Sequence, residues 1–232
     1  MKFDTELVRG RLIKRYKRFL ADIELDSGET ITAHCPNTGR MLACSTPGSP
    51  VALSVSDNPK RKYPHTLEMV YENSTWIGVN TSRTNEIIAE AIREGAIQEF
   101  QNVEEIKKEV KTSDHTRLDL QLVKEGKNTF IEIKNCSLAE NNCAMFPDAV
   151  TERGTKHLHE LIQLTQAGEQ ACIFFLLQRM DADIFKPATH IDAKYSETLA
   201  LASKKDVMIL AYQAEVTPES INVVRRLPYR FE

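Results

Sequence analysis

Two short segments hold side chains that hydrolytic chemistry uses: Arg117-Leu118-Asp119-Leu120-Gln121-Leu122 and Thr129-Phe130-Ile131-Glu132-Ile133-Lys134. Both alternate apolar and polar residues, the period of a half-buried strand. The alternation predicts Leu118, Leu120 and Leu122 on one face with Asp119 on the other. Likewise Ile131 and Ile133 share a face, and Glu132 and Lys134 point the opposite way. A two-residue turn at Glu125-Gly126 would pair position 124 with 127. Counting back then sets Leu120 opposite Ile131, Asp119 opposite Glu132, and Arg117 opposite Lys134. Carboxylates facing each other across strands have Cβ atoms about 4.5–5.5 Å apart. They repel unless a positive charge lies between them. A hard divalent cation such as Mg²⁺ (or Mn²⁺), which takes oxygen ligands and keeps several waters, suits that place. Lys134 would sit diagonally adjacent, placed to orient a nucleophile or offset charge on a phosphate. Asp119, Glu132 and Lys134 thus read as a catalytic set for phosphodiester hydrolysis, with the cation on Asp119 and Glu132. A third carboxylate, Glu90 or as second choice Glu86, is the candidate to complete the metal shell. The plainer alternative is that these are exposed charges on a half-solvated sheet, which are common.

The elements that must position these groups can be read from periodicity and turn chemistry. Residues 5–80 carry short alternating segments: Leu7–Ile13, Phe19–Leu25, Thr30–Cys35, Val51–Val55, Leu67–Tyr71 and Trp76–Val79. Asp26-Ser27-Gly28, Pro36-Asn37-Thr38-Gly39 and Thr46-Pro47-Gly48-Ser49-Pro50 separate them. Many short strands in so few residues predict a small OB-like barrel over residues 1–80. After Asn80 the rhythm changes. Thr84–Glu94 reads as a helix with Ile87, Ile88, Ala91 and Ile92 inward. Strands follow at Ile106–Lys111, Arg117–Val123 and Thr129–Lys134, then a helix over Thr151–Ala167 and a buried strand at Ala171–Leu177. A helix near Glu197–Lys204 and a strand near Val207–Ala214 complete an α/β domain over residues 81–232. The fold expected is therefore α+β in two domains.

Composition excludes several classes. The chain has 232 residues, 41% hydrophobic and 27% charged, which is enough apolar material for a packed core. Its longest apolar run, Ala171 to Leu177, is far shorter than the about 20 residues of a membrane span. Met1-Lys2-Phe3-Asp4-Thr5-Glu6 lacks the apolar stretch of a secretory signal, and the five cysteines form no Cys-x-x-Cys pair. A cytoplasmic protein without disulfides is the expectation. No phosphate-binding loop, dinucleotide fingerprint or serine-hydrolase signature is present.

The net charge of −3 is unevenly spread. Residues 1–80 sum to +2 and residues 81–232 to −5, and residues 1–20 hold 7 basic against 2 acidic side chains. Local positive charge can recruit nucleic acid despite an acidic total, because attraction is screened within about 8–10 Å. Arg11, Arg15, Lys17 and Arg18, with Tyr16 and Phe19 interleaved, form one candidate DNA-contacting run, and Lys60-Arg61-Lys62-Tyr63 forms a second. Arg40 sits in a turn and can join either. Such runs also merely solubilise a barrel rim. Arg153, Lys156 and His157 open the second helix beside Thr151, a candidate N-cap, where phosphate is favoured. His157 and His159 fall on different helix faces, which argues against a zinc pair. Gln178 and Arg179 end the buried strand, a place where polar residues are ordinarily exposed.

Longer strings carry a family resemblance. Phe146-Pro147-Asp148-Ala149-Val150-Thr151-Glu152-Arg153-Gly154-Thr155-Lys156-His157-Leu158 resembles a signature of the sugar fermentation stimulation proteins. So do Arg15-Tyr16-Lys17-Arg18-Phe19-Leu20-Ala21-Asp22, His34-Cys35-Pro36-Asn37-Thr38-Gly39 and Lys60-Arg61-Lys62-Tyr63-Pro64-His65-Thr66. The resemblance implies an OB-like domain followed by a mixed-sheet domain similar to the restriction-endonuclease-like PD-(D/E)xK nucleases. Asp119, Glu132 and Lys134 match that core motif, and Glu90 matches its helix glutamate. It further implies DNA binding with little sequence preference and a role in regulating maltose metabolism. Asn135-Cys136-Ser137 departs from the Ser/Asn-Val-Thr of many relatives. The partner expected is DNA, single- or double-stranded, with no membrane; a homo-oligomer is left open. A metal-dependent nuclease is the leading reading. A non-catalytic DNA-binding regulator on the same scaffold, or an RNA- or protein-binding module, are the alternatives.

Overall fold

A computed structural model describes residues 1–113 and 116–231 of the chain; Glu232, the end of the expected second domain, lies outside them. The amino-terminal half holds β1 (Val8–Tyr16), β2 (Leu20–Leu25), β3 (Thr30–His34), β4 (Pro50–Val55), β5 (His65–Glu72) and β6 (Thr75–Gly78). Hydrogen bonding runs β3-β2-β1-β4-β5-β6, and a parallel contact of His34 with Thr66 joins β3 to β5. The first five strands thereby close into an OB-like barrel, which removes their exposed edges. Leu12, Ile23, Leu53, Leu67 and Ile77 are buried inside it. The β1–β2 turn is made with left-handed backbone at Lys17 and Arg18 (φ 49° and 64°).

A turn of 3-10 helix at Thr81–Arg83 leads into α1 (Thr84–Arg93). There follow β7 (Glu105–Lys111), β8 (Arg117–Lys124), β9 (Lys127–Asn135), β10 (Leu138–Glu140), β11 (Cys143–Phe146) and α2 (Glu152–Gln166). The chain continues through β12 (Gln170–Leu177), β13 (Ile184–Pro187), α3 (Ala193–Lys204), β14 (Met208–Val216) and β15 (Ile221–Arg226). A mixed sheet has the order β15-β14-β12-β9-β8-β7, with β12 parallel to both β9 and β14; β10, β11 and β13 form a small separate sheet. The central β12 is buried on both faces, which is why it reads as an unbroken apolar run.

Helices cover both faces of the large sheet. On one side Ile87, Ile88 and Ala91 of α1 pack with Leu120, Leu122, Ile131 and Ile133. On the other, Leu158 and Leu161 of α2 and Tyr195 and Leu199 of α3 pack with Phe130, Ile173 and Phe175. Each such buried Leu, Ile or Phe contributes about 1.5–3 kcal/mol by leaving water. Leu118 corrects a sequence expectation: it joins the α2–α3 core, not the face of Leu120 and Leu122. Its neighbour across the pair, Val110, packs against the α2–α3 core too, whereas Ile106 packs on the α1 side. Between these pairs stands Glu109 with φ 53°, so the strand pair changes face beside Asp119.

The two halves are tied together. Gly78 N–H donates to the Gln178 carbonyl at 2.8 Å, and Arg83 grips the buried Glu68 carboxylate through Nε and Nη2, both at 2.7 Å. Residues 1–3 leave the barrel to pair beside Glu219, Ser220 and Ile221 of the second half. Among the described residues no helix is long and apolar enough to cross a membrane.

Candidate active site

The β8–β9 hairpin turns at Glu125 and Gly126, both with positive φ (51° and 72°), a conformation that glycine takes without steric cost. Lys124 pairs with Lys127, and Leu120 lies opposite Ile131. One step further the backbone ladder gives way to a side chain. Asp119 Oδ2 accepts the Ile133 N–H at 2.7 Å, while Oδ1 accepts Nδ2 of Asn85, in the first turn of α1, at 2.9 Å. Each Asp119 oxygen keeps a further lone pair for a ligand.

Alternation along β9 sends Glu132 and Lys134 toward α2. Glu132 is 3% exposed. Its Oε1 accepts from Lys134 Nζ at 2.5 Å and from His157 Nδ1. A carboxylate oxygen can only accept, so Nδ1 carries the proton and Nε2 is left to accept from Arg153 Nε at 3.4 Å. His157 is presented by α2, whose start is fixed by Thr151: its hydroxyl accepts Gly154 N–H at 3.1 Å, and its own N–H donates to Asp192 at 2.8 Å.

The two acids have opposite electrostatics. Burial, then the neighbouring Glu132 charge, push the Asp119 carboxyl above its ordinary range. Burial acts in the same sense on Glu132, yet the hydrogen bond from His157 and the charge of Lys134 hold it below that range. Glu132 Oε2 is buried and has no hydrogen-bond partner. An ionised oxygen of this kind is costly unless a cation meets it. The donor set fits a hard divalent cation, which Asp119 and Glu132 would hold. Among the described residues no three His, Cys, Asp or Glu side chains are grouped to enclose a metal by themselves. A pair of carboxylates is nevertheless a normal complement for Mg²⁺, which retains waters.

Asp119, Glu132 and Lys134 share the floor of one cleft of about 500 Å³. Its walls come from both halves of the molecule: Arg18 and Thr38 from the barrel, Asp148 and Val150 from the segment leading into α2, and Arg153 from the first turn of α2. Met41 N–H donates to Asp148 Oδ2 at 3.0 Å. Gly39 lies so close that a Cβ there would stand 2.5 Å from the same oxygen, so a side chain at 39 would displace the carboxylate.

Glu90 is not part of the cleft. Its carboxylate lies 3.1 Å from the α-ammonium of Met1. Position 90 is five residues beyond Asn85, about 140° around the helix and about 7.5 Å along it. It therefore points away from the side that meets Asp119. Glu86 pairs with Lys108 and Arg93 on the outer surface. The α1 side chain that bonds Asp119 is an amide, Asn85, a residue type that a pattern of carboxylates does not single out.

The candidate cations divide. Arg18 and Arg153 line the cleft, and both are exposed. Lys17, Arg40 and Lys156 are exposed but do not line it. Arg15 is turned inward: Nη2 donates to the carbonyls of Arg18, Asn37 and Gly39 at 2.6, 2.7 and 2.8 Å, and Nη1 to Arg40 at 3.3 Å. It clamps the backbone and does not present a free charge. Arg11 donates to the Gly48 carbonyl at 3.1 Å. Lys60, Arg61 and Lys62 sit on the β4–β5 loop, where Arg61 Nη2 donates to Thr66 Oγ1 at 3.0 Å and Lys62 lies over the Tyr63 ring. Gln178 and Arg179 are fully buried, contrary to the usual habit of strand ends. Asp181 neutralises Arg179 through two 2.6 Å contacts.

Comparison with known proteins bears on this arrangement. The family model for the sugar fermentation stimulation protein RE domain matches residues 82–220, and that for the SfsA N-terminal OB domain matches residues 13–79. The chain belongs to the sugar fermentation stimulation protein family. A sugar fermentation stimulation protein homolog of Desulfotalea psychrophila is 58% identical over 97% of this chain and 95% of that protein. A homolog from Geotalea uraniireducens is 46% identical over 99% of this chain and 100% of its own. Among solved structures, Pyrococcus furiosus SfsA in complex with Ca²⁺ superposes with a TM-score of 0.90 at 25% identity, covering 99% of this chain and 98% of that one.

Proposed function

We propose that this member of the sugar fermentation stimulation family binds DNA with little sequence preference and hydrolyses phosphodiester bonds at the Asp119–Glu132 cleft. The observation that carries the reading is Glu132: one oxygen is held by His157 and Lys134, and the other is buried and unpartnered beside Asp119. That a relative of the same fold is described in complex with Ca²⁺ supports a divalent cation at a site of hard oxygen donors. When bound, Mg²⁺ or Mn²⁺ supplies Lewis acidity and charge neutralisation toward a phosphate. The chain does the rest. Asn85 and the Ile133 N–H fix Asp119, and His157 fixes Glu132. Lys134 brings an ammonium that can orient an attacking water or offset charge on the phosphate oxygens. Arg153 and Arg18 offer cations to the flanking backbone. A link to maltose metabolism would follow from DNA binding, as the family resemblance implies.

A second reading, DNA binding without turnover, is favoured by one observation: among the described residues no third carboxylate joins Asp119 and Glu132 in a metal-holding group, since Asp148 is taken up by the Met41 N–H in the cleft wall and Glu90 faces elsewhere. A plasmid-nicking assay separates the two. Wild type should nick supercoiled plasmid in Mg²⁺ or Mn²⁺ and stop in EDTA. Asp119→Ala and Glu132→Ala should lower the rate by at least about a hundredfold while DNA binding persists. Plasmid left intact by wild type in both metals contradicts hydrolysis.

A further inference from the structure

We infer that the cleft takes an unpaired polynucleotide strand and excludes a continuous duplex, an inference that rests on the nucleic-acid reading above. Depth limits what can reach the reacting groups. The groups that would meet a scissile phosphate lie on the floor, with Glu132 3% exposed. The cleft above them is about 500 Å³. That lies within the about 300–1,000 Å³ that encloses one small ligand. It suits one nucleotide unit of a pliable strand. A duplex is a stiff rod with grooves about 6 and 12 Å wide, and its phosphates cannot leave it singly.

The barrel-side wall is fastened. Arg15 ties the β1–β2 hairpin tip at Arg18 to the loop at Asn37, Gly39 and Arg40. Asp148 ties that loop to the second domain through the Met41 N–H. Widening the cleft for a duplex would break these bonds together.

The chemistry of the rim suits unpaired bases. Val150 lines the cleft with 72% of its surface exposed; Phe19 does not line it, but follows the lining residue Arg18 at the hairpin tip and is 49% exposed. Apolar and aromatic surface beside arginines is what unpaired bases use: their faces stack on the one while the backbone meets the other. In a duplex those faces are stacked against neighbouring base pairs. Arg18 and Arg153, from different domains, bring positive charge to a cleft whose floor is acidic, and so favour phosphates on either side of the reacting one.

Competition binding with the full chain in Ca²⁺ tests the inference. A fluorescent single-stranded oligonucleotide of about 12 nucleotides, within the span of one binding groove, is displaced by unlabelled oligonucleotide or by relaxed closed-circular duplex at equal nucleotide concentration. The single strand should compete at least about tenfold better. Arg18→Asn removes the charge and suits the left-handed backbone there. It should weaken oligonucleotide binding several-fold and reduce the slope of log affinity against log salt by about 0.7. Phe19→Ala should weaken binding about tenfold. Thermal melting should match wild type for both exposed-site variants. If the closed circle competes as well as the single strand, or if both variants bind like wild type, the strand inference is overturned and DNA binding itself stands. If neither form of DNA binds, the underlying reading falls with it.

Discussion

Glu132 gives one oxygen to Lys134 and His157 and leaves the other buried and unpartnered, and His157 is the residue that enforces the division. With Nδ1–H on Oε1 and Arg153 on Nε2, the imidazole is held in one tautomer and the carboxylate in one orientation. Groups that orient a metal ligand typically change affinity about 10- to 100-fold when removed. His157→Ala should therefore weaken Mn²⁺ binding by that factor in titration calorimetry; unchanged affinity would show that Lys134 and the strand orient Glu132 unaided. At this scale the sequence was informative where strand alternation governs. Glu132 and Lys134 follow from a period of two, Asp119 lies where β8 changes face, and the three share one cleft. Asn85 and Glu90 show where it was not. A polar residue in the first turn of a helix reads as a boundary feature, whereas a glutamate reads as a ligand, and only the helix's orientation over the sheet reveals which of the two faces Asp119.

Strands and turns were legible wherever a local rule fixes them. The two-residue turn at Glu125-Gly126 sets the β8–β9 register, and the apolar run of β12 marks a strand buried on both faces. The small sheet of β10, β11 and β13 was not foreseen, because its strands are three or four residues long and pair with one another outside the main sheet. Edge strand β15 carries no clear local signal either, its sequence ending in Arg225-Arg226 with little buried. Arg15 illustrates a limit of charge counting. Within a basic run it looks like any other cation, yet it binds four carbonyls across two loops. Arg15→Ala should cost about 1–3 kcal/mol in urea denaturation, because partly buried carbonyls lose their donor. Arg15→Lys should recover only part of that, since an ammonium lacks the guanidinium fork. A neutral Arg15→Ala would contradict the clamp.

For the whole molecule, the consequence of the fold is that the candidate site belongs to neither domain alone. The second domain supplies the acids, the lysine and the histidine, and the barrel supplies a wall. The overall charge of −3 conceals this, since the acidic floor and the cationic rim lie within a few side chains of each other. Strand periodicity and turn chemistry expose the two architectures. They do not show how Gly39 and Asp148, more than a hundred residues apart, come into contact. The account rests on a cation lying between Asp119 and Glu132, and anomalous diffraction from a Mn²⁺-soaked crystal observes that directly. A peak within ligand distance of both carboxylates is predicted, with Glu132 Oε2 among the contacts. Density absent from that position at saturating Mn²⁺, or found only elsewhere on the protein, would contradict it.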